Sequence, residues 1–177
     1  MAVEHGFVLL DRNFRMTNLA YLSLGSNVGA REENLRDAIA RLEGAGRVIS
    51  VSSFYETEPV DFTDQAWFLN CAVGLETSET PEQLMKQILR IESEMGRQRP
   101  QKKGPRIIDI DVLLFGDQIV DSPELTVPHP AMHRRRFVLQ PLAEIAPAAR
   151  HPLLNKTIAE LLAELPAGQA VQRQQEK

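Results

Sequence analysis

Two aspartates, Asp109 and Asp111, interrupt an otherwise apolar run at residues 107–115. Residues two apart on a β-strand point to the same face with Cα atoms about 6.5–7 Å apart, so both carboxylates could bind one or two divalent cations such as Mg²⁺. Residues 96–108 contain no acidic side chain and five basic ones, which are Arg97, Arg99, Lys102, Lys103 and Arg106. Cations and arginines stabilise the charge on a transferring phosphoryl group. The pattern therefore predicts phosphoryl or pyrophosphoryl transfer.

A second basic cluster follows at residues 129–136, which contain two histidines and three consecutive arginines. The apolar residues 137–139 would anchor it against the core. Each feature also has a simpler interpretation: the aspartates could occupy the solvent face of a half-buried strand, and the arginines a solvated surface. Two like charges on one strand face repel each other unless positive charge lies beside them, which favours the phosphate-binding interpretation.

The elements that must position these residues follow a β-α-β-β-α-β order. Short apolar or alternating runs predict strands at residues 20–25, 48–55, 68–77 and 107–115. Helical spacing of apolar residues predicts helices at 32–42, 81–95 and 157–165. The order is typical of the ferredoxin-like split βαβ fold, an α+β sandwich with a mostly antiparallel sheet. We expect the helices on one face of that sheet and a ligand on the other.

Composition indicates a globular protein of one domain, with 177 residues, a net charge of -4 and 43% hydrophobic residues. We expect an N-terminal extension at 1–17, a folded domain at 18–166 and a frayed polar tail at 167–177. The single cysteine, Cys71, excludes an intramolecular disulfide and favours the cytoplasm. No apolar run approaches the ~18 residues of a membrane span. The acidic balance argues against nucleic acid as the main partner.

The motifs of this chain resemble those of the 6-hydroxymethyl-7,8-dihydropterin pyrophosphokinases of folate biosynthesis. The most specific is the string Gly-Pro-Arg-x-x-Asp-x-Asp at residues 104–111. Further matching blocks follow in the family's order, at residues 21–27, 52–59, 68–70, 90–92, 96–99, 125–130 and 135–142. The resemblance extends from residue 20 to residue 165, nearly the whole chain.

The resemblance implies the activity of a 2-amino-4-hydroxy-6-hydroxymethyldihydropteridine diphosphokinase, which transfers pyrophosphate from ATP to the pterin hydroxymethyl oxygen and releases AMP. It implies that Asp109 and Asp111 hold two Mg²⁺ ions against the phosphates. The implied catalytic residues are these aspartates with Arg97, Arg99 and Arg106. The implied nucleotide contacts are Glu92, Arg97, Arg99, Arg106, Thr126, His129 and Arg135. The implied pterin contacts are Thr57, Val60, Phe68, Asn70 and Phe137, with the two aromatics stacked on the ring.

Two positions differ from the family pattern: Lys103 stands where some members have tryptophan, and Glu58-Pro59 replaces a Pro-Pro pair. Two other functions share parts of the pattern. A nucleotidyltransferase also pairs a Gly-Ser turn with an Asp-x-Asp strand, but more than 80 residues separate Ser26 from Asp109. A non-enzymatic RNA-binding module on the same topology would need stacking aromatics and a basic charge, whereas aromatics are 6% here. We expect ATP and the pterin as partners of a monomer, or at most of a weak dimer.

Overall fold

A seven-stranded sheet forms the centre of the protein. The computed structural model describes residues 9–10, 16–60, 64–97 and 105–175. The longest strands, β2 (Met16–Ser26) and β5 (Phe68–Thr77), lie side by side, and β6 (Asp109–Phe115) pairs with the other edge of β2. The shorter strands β1 (Leu9–Leu10), β3 (Arg47–Val51) and β4 (Tyr55–Thr57) extend the sheet from β2 and β5. Every pairing among the described strands is antiparallel.

Two small sheets lie outside this central one. One pairs β7 (Val120–Asp121) with β8 (Thr126–Val127), and the other pairs β9 (Arg150–His151) with β10 (Lys156–Thr157). A 3₁₀ turn at Met132–Arg134 follows β8. These pieces shape the connections after β6.

Two helices, α1 (Arg31–Leu42) and α2 (Pro81–Glu94), pack on one face of the central sheet. Thr80 begins α2 with a capping box, because its hydroxyl accepts the Gln83 N–H and the Gln83 side chain accepts the Thr80 N–H. Apolar residues of both helices and of alternate strand positions form one buried core, which includes Leu22, Leu24, Leu35, Leu42, Val73, Leu84, Ile88 and Val112. The predicted α+β split βαβ fold with a mostly antiparallel sheet is confirmed.

Two further helices, α3 (Arg136–Ile145) and α4 (Ile158–Glu164), cover part of the opposite face. Their apolar residues, among them Val138, Leu139 and Leu142 of α3, form a second core with the strand residues Ala72, Leu113 and Leu114. The sequence analysis placed the helices on one face, which holds for α1 and α2 alone. It assigned no helix to 136–145 because Pro141 lies inside that segment. Burial of the apolar face of α3 offsets the hydrogen bond that the proline cannot donate.

After α4, residues 169–174 form hydrogen bonds with distant parts of the chain, and the predicted frayed tail is wrong for these residues. Residues Val171–Arg173 form β11, which pairs with the outer edge of β4. Backbone pairing with an existing strand edge needs no apolar pattern, so the polar sequence gave no signal. At the other end, β2 begins at Met16, and the predicted boundary between residues 17 and 18 falls inside that strand. Within the described ranges, no helix is long and apolar enough to cross a membrane.

Candidate active site

One end of the central sheet forms the floor of a pocket, on the face opposite α1 and α2. The strand register places Ser23 beside Asp111, Gly25 beside Asp109, and Gly25 beside Asn70 on its other side. Alternate residues on adjacent strands share a face, so these side chains point the same way. The pocket is lined by Ser23, Gly25, Thr57, Glu58, Pro59, Val60, Gln65, Phe68, Asn70, Arg106, Asp109, Asp111, Arg135 and Phe137. Most of the predicted site residues are therefore brought together.

The two aspartates have unequal surroundings. Asp109 forms ion pairs with Arg97 at 2.9 Å and with Arg106, which donates to its other oxygen. Among the described residues, no lysine or arginine forms an ion pair with Asp111. Burial and the neighbouring Asp109 carboxylate raise the pKa of Asp111 to about 7, and Arg135 and Arg106 oppose this only in part. A further positive charge beside Asp111 would therefore stabilise the two ionised aspartates.

A divalent cation fits this need. Two carboxylates on one strand face are oxygen ligands of the kind that Mg²⁺ prefers, and Mg²⁺ completes its shell with water and phosphate oxygens. Within the described part of the chain, no group of three or more His, Cys, Asp or Glu side chains is arranged so that it could hold a metal ion by itself. Such a cation would therefore depend on phosphate oxygens of a ligand as well as on the protein.

Glu92 supports this end of the pocket from beneath. Its side chain is 2% exposed, and its carboxylate accepts the Ile110 N–H at 2.8 Å and pairs with Arg97. It thus fixes both the strand that carries the aspartates and the arginine beside them. The resemblance implied that Glu92 contacts the nucleotide. In the structure Glu92 and Arg97 lie behind the pocket lining, with Arg97 directed at Asp109.

Asn27 joins three segments around the pocket, a contribution that the sequence analysis missed. Its side-chain oxygen accepts the Arg106 N–H at 2.7 Å, and its own N–H donates to the Arg106 carbonyl at 3.0 Å. Its side-chain nitrogen donates to the Gln65 side chain at 2.9 Å and to the Ala66 carbonyl at 3.1 Å. Asn27 thereby holds the main chain of Arg106 in place. An asparagine after Gly-Ser hints at a turn, but its long-range partners are visible only in three dimensions.

His129 and Arg135 approach the charged end from the connection between β8 and α3. Burial and the Arg135 guanidinium together lower the pKa of His129 to about 4, although the Asp109 carboxylate opposes them. The His129 Nδ1 accepts the Ala131 N–H at 3.2 Å, so the neutral ring carries its proton on Nε2 and can donate a hydrogen bond there. Thr126 is exposed on β8, outside the pocket lining. Arg99 and Lys103 lie outside the described residues.

The other end of the pocket is aromatic and amide-lined. Asn70 is buried, and its side-chain nitrogen donates to the Thr57 hydroxyl, which orients the Asn70 carbonyl oxygen. A Cβ at Gly25 would lie 2.5 Å from that oxygen, so only glycine leaves room for it. Phe68 and Phe137 line the slot, and the Arg135 guanidinium lies 5.6 Å from the centre of the Phe137 ring. Val60 is 57% exposed at the rim.

Five lining residues had no predicted role, which are Ser23, Gly25, Glu58, Pro59 and Gln65. The first two could have been inferred from alternation along β2, once its register with the aspartate strand was known. The other three lie in the connection between β4 and β5, and no sequence pattern marks them as pocket residues.

An α+β sandwich whose pocket joins paired carboxylates and arginines to an aromatic slot defines a phosphoryl-group transferase for a small aromatic substrate. Residues 21–147 match the sequence model of the 7,8-dihydro-6-hydroxymethylpterin-pyrophosphokinase family, HPPK. A 2-amino-4-hydroxy-6-hydroxymethyldihydropteridine pyrophosphokinase of Bacillus subtilis (strain 168) is 51% identical over 132 residues, 73% of this chain and 79% of the relative. An enzyme of the same name from Aquifex aeolicus is 41% identical over 79% of this chain and 88% of its own length. The chain belongs to the HPPK family, whose members transfer pyrophosphate from ATP to hydroxymethyldihydropterin in folate synthesis.

Longer proteins contain the same unit. Folic acid synthesis protein fol1 of Schizosaccharomyces pombe is 41% identical over 84% of this chain, which spans 21% of that protein. A crystal structure of wild-type Plasmodium falciparum HPPK-DHPS with pterin and p-hydroxybenzoate has a TM-score of 0.67 at 20% identity. It covers 85% of this chain, which spans 43% of the Plasmodium chain. This likeness supports the fold, and the family membership decides against the nucleotidyltransferase and RNA-binding alternatives.

Proposed function

We propose that the two ends of the pocket divide the reaction between them. Asp109 and Asp111 hold Mg²⁺ and the ATP phosphates at the charged end, and the slot between Phe68 and Phe137 holds the pterin ring. The uneven neutralisation of the aspartates supports this assignment, because Asp111 retains a carboxylate that its protein neighbours compensate only in part. When bound, Mg²⁺ would supply charge neutralisation at the phosphate oxygens.

Arginines account for the rest of the charge at the phosphate end. The pterin hydroxymethyl oxygen attacks the β-phosphorus and forms an O–P bond, while its hydroxyl proton passes to the solvent. The bond between the β-phosphorus and the oxygen that bridges it to the α-phosphate breaks, and AMP leaves with that oxygen. Arg106 and Arg135 line the pocket and can contact the phosphates, and Arg97 keeps Asp109 in position. Arg99 is proposed to contribute a further charge. His129 can donate from Nε2 to a phosphate oxygen. Glu92 acts from beneath by holding Arg97, and Thr126 is proposed to contact the nucleotide outside the pocket lining.

The aromatic end orients the pterin for in-line attack. Stacking between Phe68 and Phe137 favours a flat ring, and the Asn70 carbonyl oxygen can accept a hydrogen bond from it. Thr57 fixes Asn70, and Val60 closes the rim. No side chain needs to act as a strong base, because alignment and charge neutralisation supply most of the rate in such transfers.

We further propose that the protein acts as a cytoplasmic monomer whose enzyme domain extends from β2 through β11. Burial of Cys71 accords with a protein that needs no disulfide. Sedimentation equilibrium with and without ATP tests the monomer, and a stable dimer would contradict it.

Product analysis tests the metal and site assignment. The protein is incubated with ATP, MgCl₂ and 6-hydroxymethyl-7,8-dihydropterin, and the products are separated by anion exchange. We expect AMP and pterin diphosphate in equal amounts, with a rate that rises with Mg²⁺ and is lost in excess EDTA. Undiminished AMP formation in EDTA would overturn the metal assignment, and release of free pyrophosphate would overturn the proposed chemistry.

A further inference from the structure

The end of the chain contributes to the pocket that we assign to the pterin. Residues 169–173, here called the C-terminal segment, follow α4 and run along β4. Their strand β11 pairs Val171 with Thr57 and Arg173 with Tyr55. Thr57 is the residue that fixes Asn70 in the pocket. The segment therefore supports the strand that carries one wall of the site.

Glu58 docks this segment. The Ala170 N–H donates to Glu58 Oε1 at 2.7 Å, and the Glu58 N–H donates to the Ala170 carbonyl at 3.3 Å. Glu58 also lines the pocket, together with the next two residues. Both contacts depend on the residue at position 58, since a proline there could supply neither the carboxylate nor the N–H.

Gln169 connects two walls of the pocket through one side-chain amide. Its Nε2 donates to the Glu58 carbonyl at 3.0 Å, and its Oε1 accepts the Phe137 N–H at 3.3 Å. Glu58 belongs to the rim after β4, whereas Phe137 belongs to the first turn of α3. An N–H in the first turn of a helix has no partner within the helix, so the Gln169 oxygen satisfies a group that otherwise lacks one.

We propose that Gln169 is a positioning residue for the pterin subsite, and that it sets the separation between Phe137 and the rim at residues 58–60. The inference rests on the assignment of this slot to the pterin. Because Gln169 already holds the two walls together, less conformational entropy is lost when the pterin binds. The hydrogen bonds of Gln169 join Glu58 and Phe137, and within the described residues none reaches an aspartate or an arginine of the charged end. Its loss should therefore weaken binding of the pterin alone.

Steady-state kinetics of Gln169→Leu and Gln172→Leu test this role. Gln172 lies in the same segment with an exposed side chain, so the two variants differ in the bridge alone. For Gln169→Leu we expect the pterin KM at saturating Mg-ATP to rise roughly tenfold, as for the loss of two hydrogen bonds. The ATP KM and kcat should change less than about threefold. Gln172→Leu should match the unmodified protein.

Two further variants keep the result interpretable. Gln169→Glu retains an acceptor for the Phe137 N–H but places a carboxylate against the Glu58 carbonyl, so we expect a raised pterin KM even if Gln169→Leu folds poorly.

Asn70→Ala tests the pterin slot itself. A raised pterin KM for Asn70→Ala with no change for either Gln169 variant would overturn the role of Gln169 alone. No change for Asn70→Ala would overturn the slot assignment, and with it this inference. Equal rises of both KM values would also contradict a pterin-specific role.

Discussion

The two ends of the pocket are built in different ways. The charged end is held by ion pairs among residues close in the chain, which join Arg97 and Arg106 to Asp109 and Arg97 to the buried Glu92. The aromatic end collects residues from distant segments and holds them by backbone pairing and amide hydrogen bonds. The first end therefore depends on charge, and the second on the relative placement of strands, α3 and the C-terminal segment. Substitutions at the two ends should consequently change different kinetic constants.

Asp111→Asn should produce the largest effect on activity. The change keeps the shape of the side chain and removes the charge that would hold Mg²⁺, so we expect kcat for AMP release to fall by about 10²–10³-fold or more. Thermal unfolding should not move to lower temperature, because repulsion from Asp109 is removed. Asp121→Asn, at an exposed position on β7, is the matched control. Near-normal AMP release by Asp111→Asn would contradict the assignment of Asp111 as a ligand of Mg²⁺.

Glu92→Ala should have the largest effect on stability. The substitution leaves the Ile110 N–H without its acceptor and Arg97 without its buried partner, so we expect the free energy of unfolding to fall by about 3–5 kcal/mol. Glu94→Ala on the same helix removes only surface ion pairs, with Arg41 and Arg90, and should cost less than about 1 kcal/mol. Urea denaturation of both variants measures the difference. Equal stabilities would show that Glu92 does not anchor this end.

Gly25→Ala should affect the aromatic end through Asn70. The new Cβ would lie 2.5 Å from the Asn70 carbonyl oxygen, which must move. We expect the pterin KM to rise by roughly tenfold and kcat to change far less. Gly168→Ala serves as the control, because its Cβ meets no atom within 4 Å. A fall in kcat with an unchanged pterin KM would place Gly25 at the charged end instead.

The smallest expected effect is a pH dependence of stability from Glu144. Partial burial alone would raise the pKa of Glu144, but hydrogen bonds from Tyr55 and Ser53 lower it below the usual 4.5. A lowered folded-state pKa stabilises the protein above pH 4.5, and this contribution is lost as pH falls through the folded value. Glu144→Gln should therefore be less stable than the unmodified protein near neutral pH, with a gap that narrows below pH 4.5. A gap that stays constant would contradict the assignment.

The same contrast explains what could be predicted from the sequence. Asp109, Asp111 and the basic run were identified from charge and spacing within one short segment. The split βαβ order followed from apolar periodicity, which local burial enforces. These features depend on residues that are close together in the chain, so they can be predicted from the sequence alone.

Features that depend on long-range backbone contacts were not predicted. Pro141 argued against a helix at α3, and the sequence of β11 has no apolar pattern. Both elements are stabilised by partners far away in the chain, which the sequence does not show. The roles of Asn27 and Gln169 could not be predicted, because their hydrogen-bond partners are far away in the chain. The contact between Glu58 and the Ala170 N–H also joins residues far apart in the chain, and no sequence pattern predicted it.

The central claim is that the charged end determines kcat and the aromatic end determines the pterin KM. One experiment tests it, which measures AMP release over a series of pterin concentrations at saturating ATP and Mg²⁺. We predict that Asn70→Ala reaches a plateau near that of the unmodified protein at a pterin concentration roughly tenfold or more higher. Asp111→Asn should retain the normal half-saturating pterin concentration with a plateau lowered by about 10²-fold or more. If both variants change the same constant, the two ends are not separable and the account is wrong.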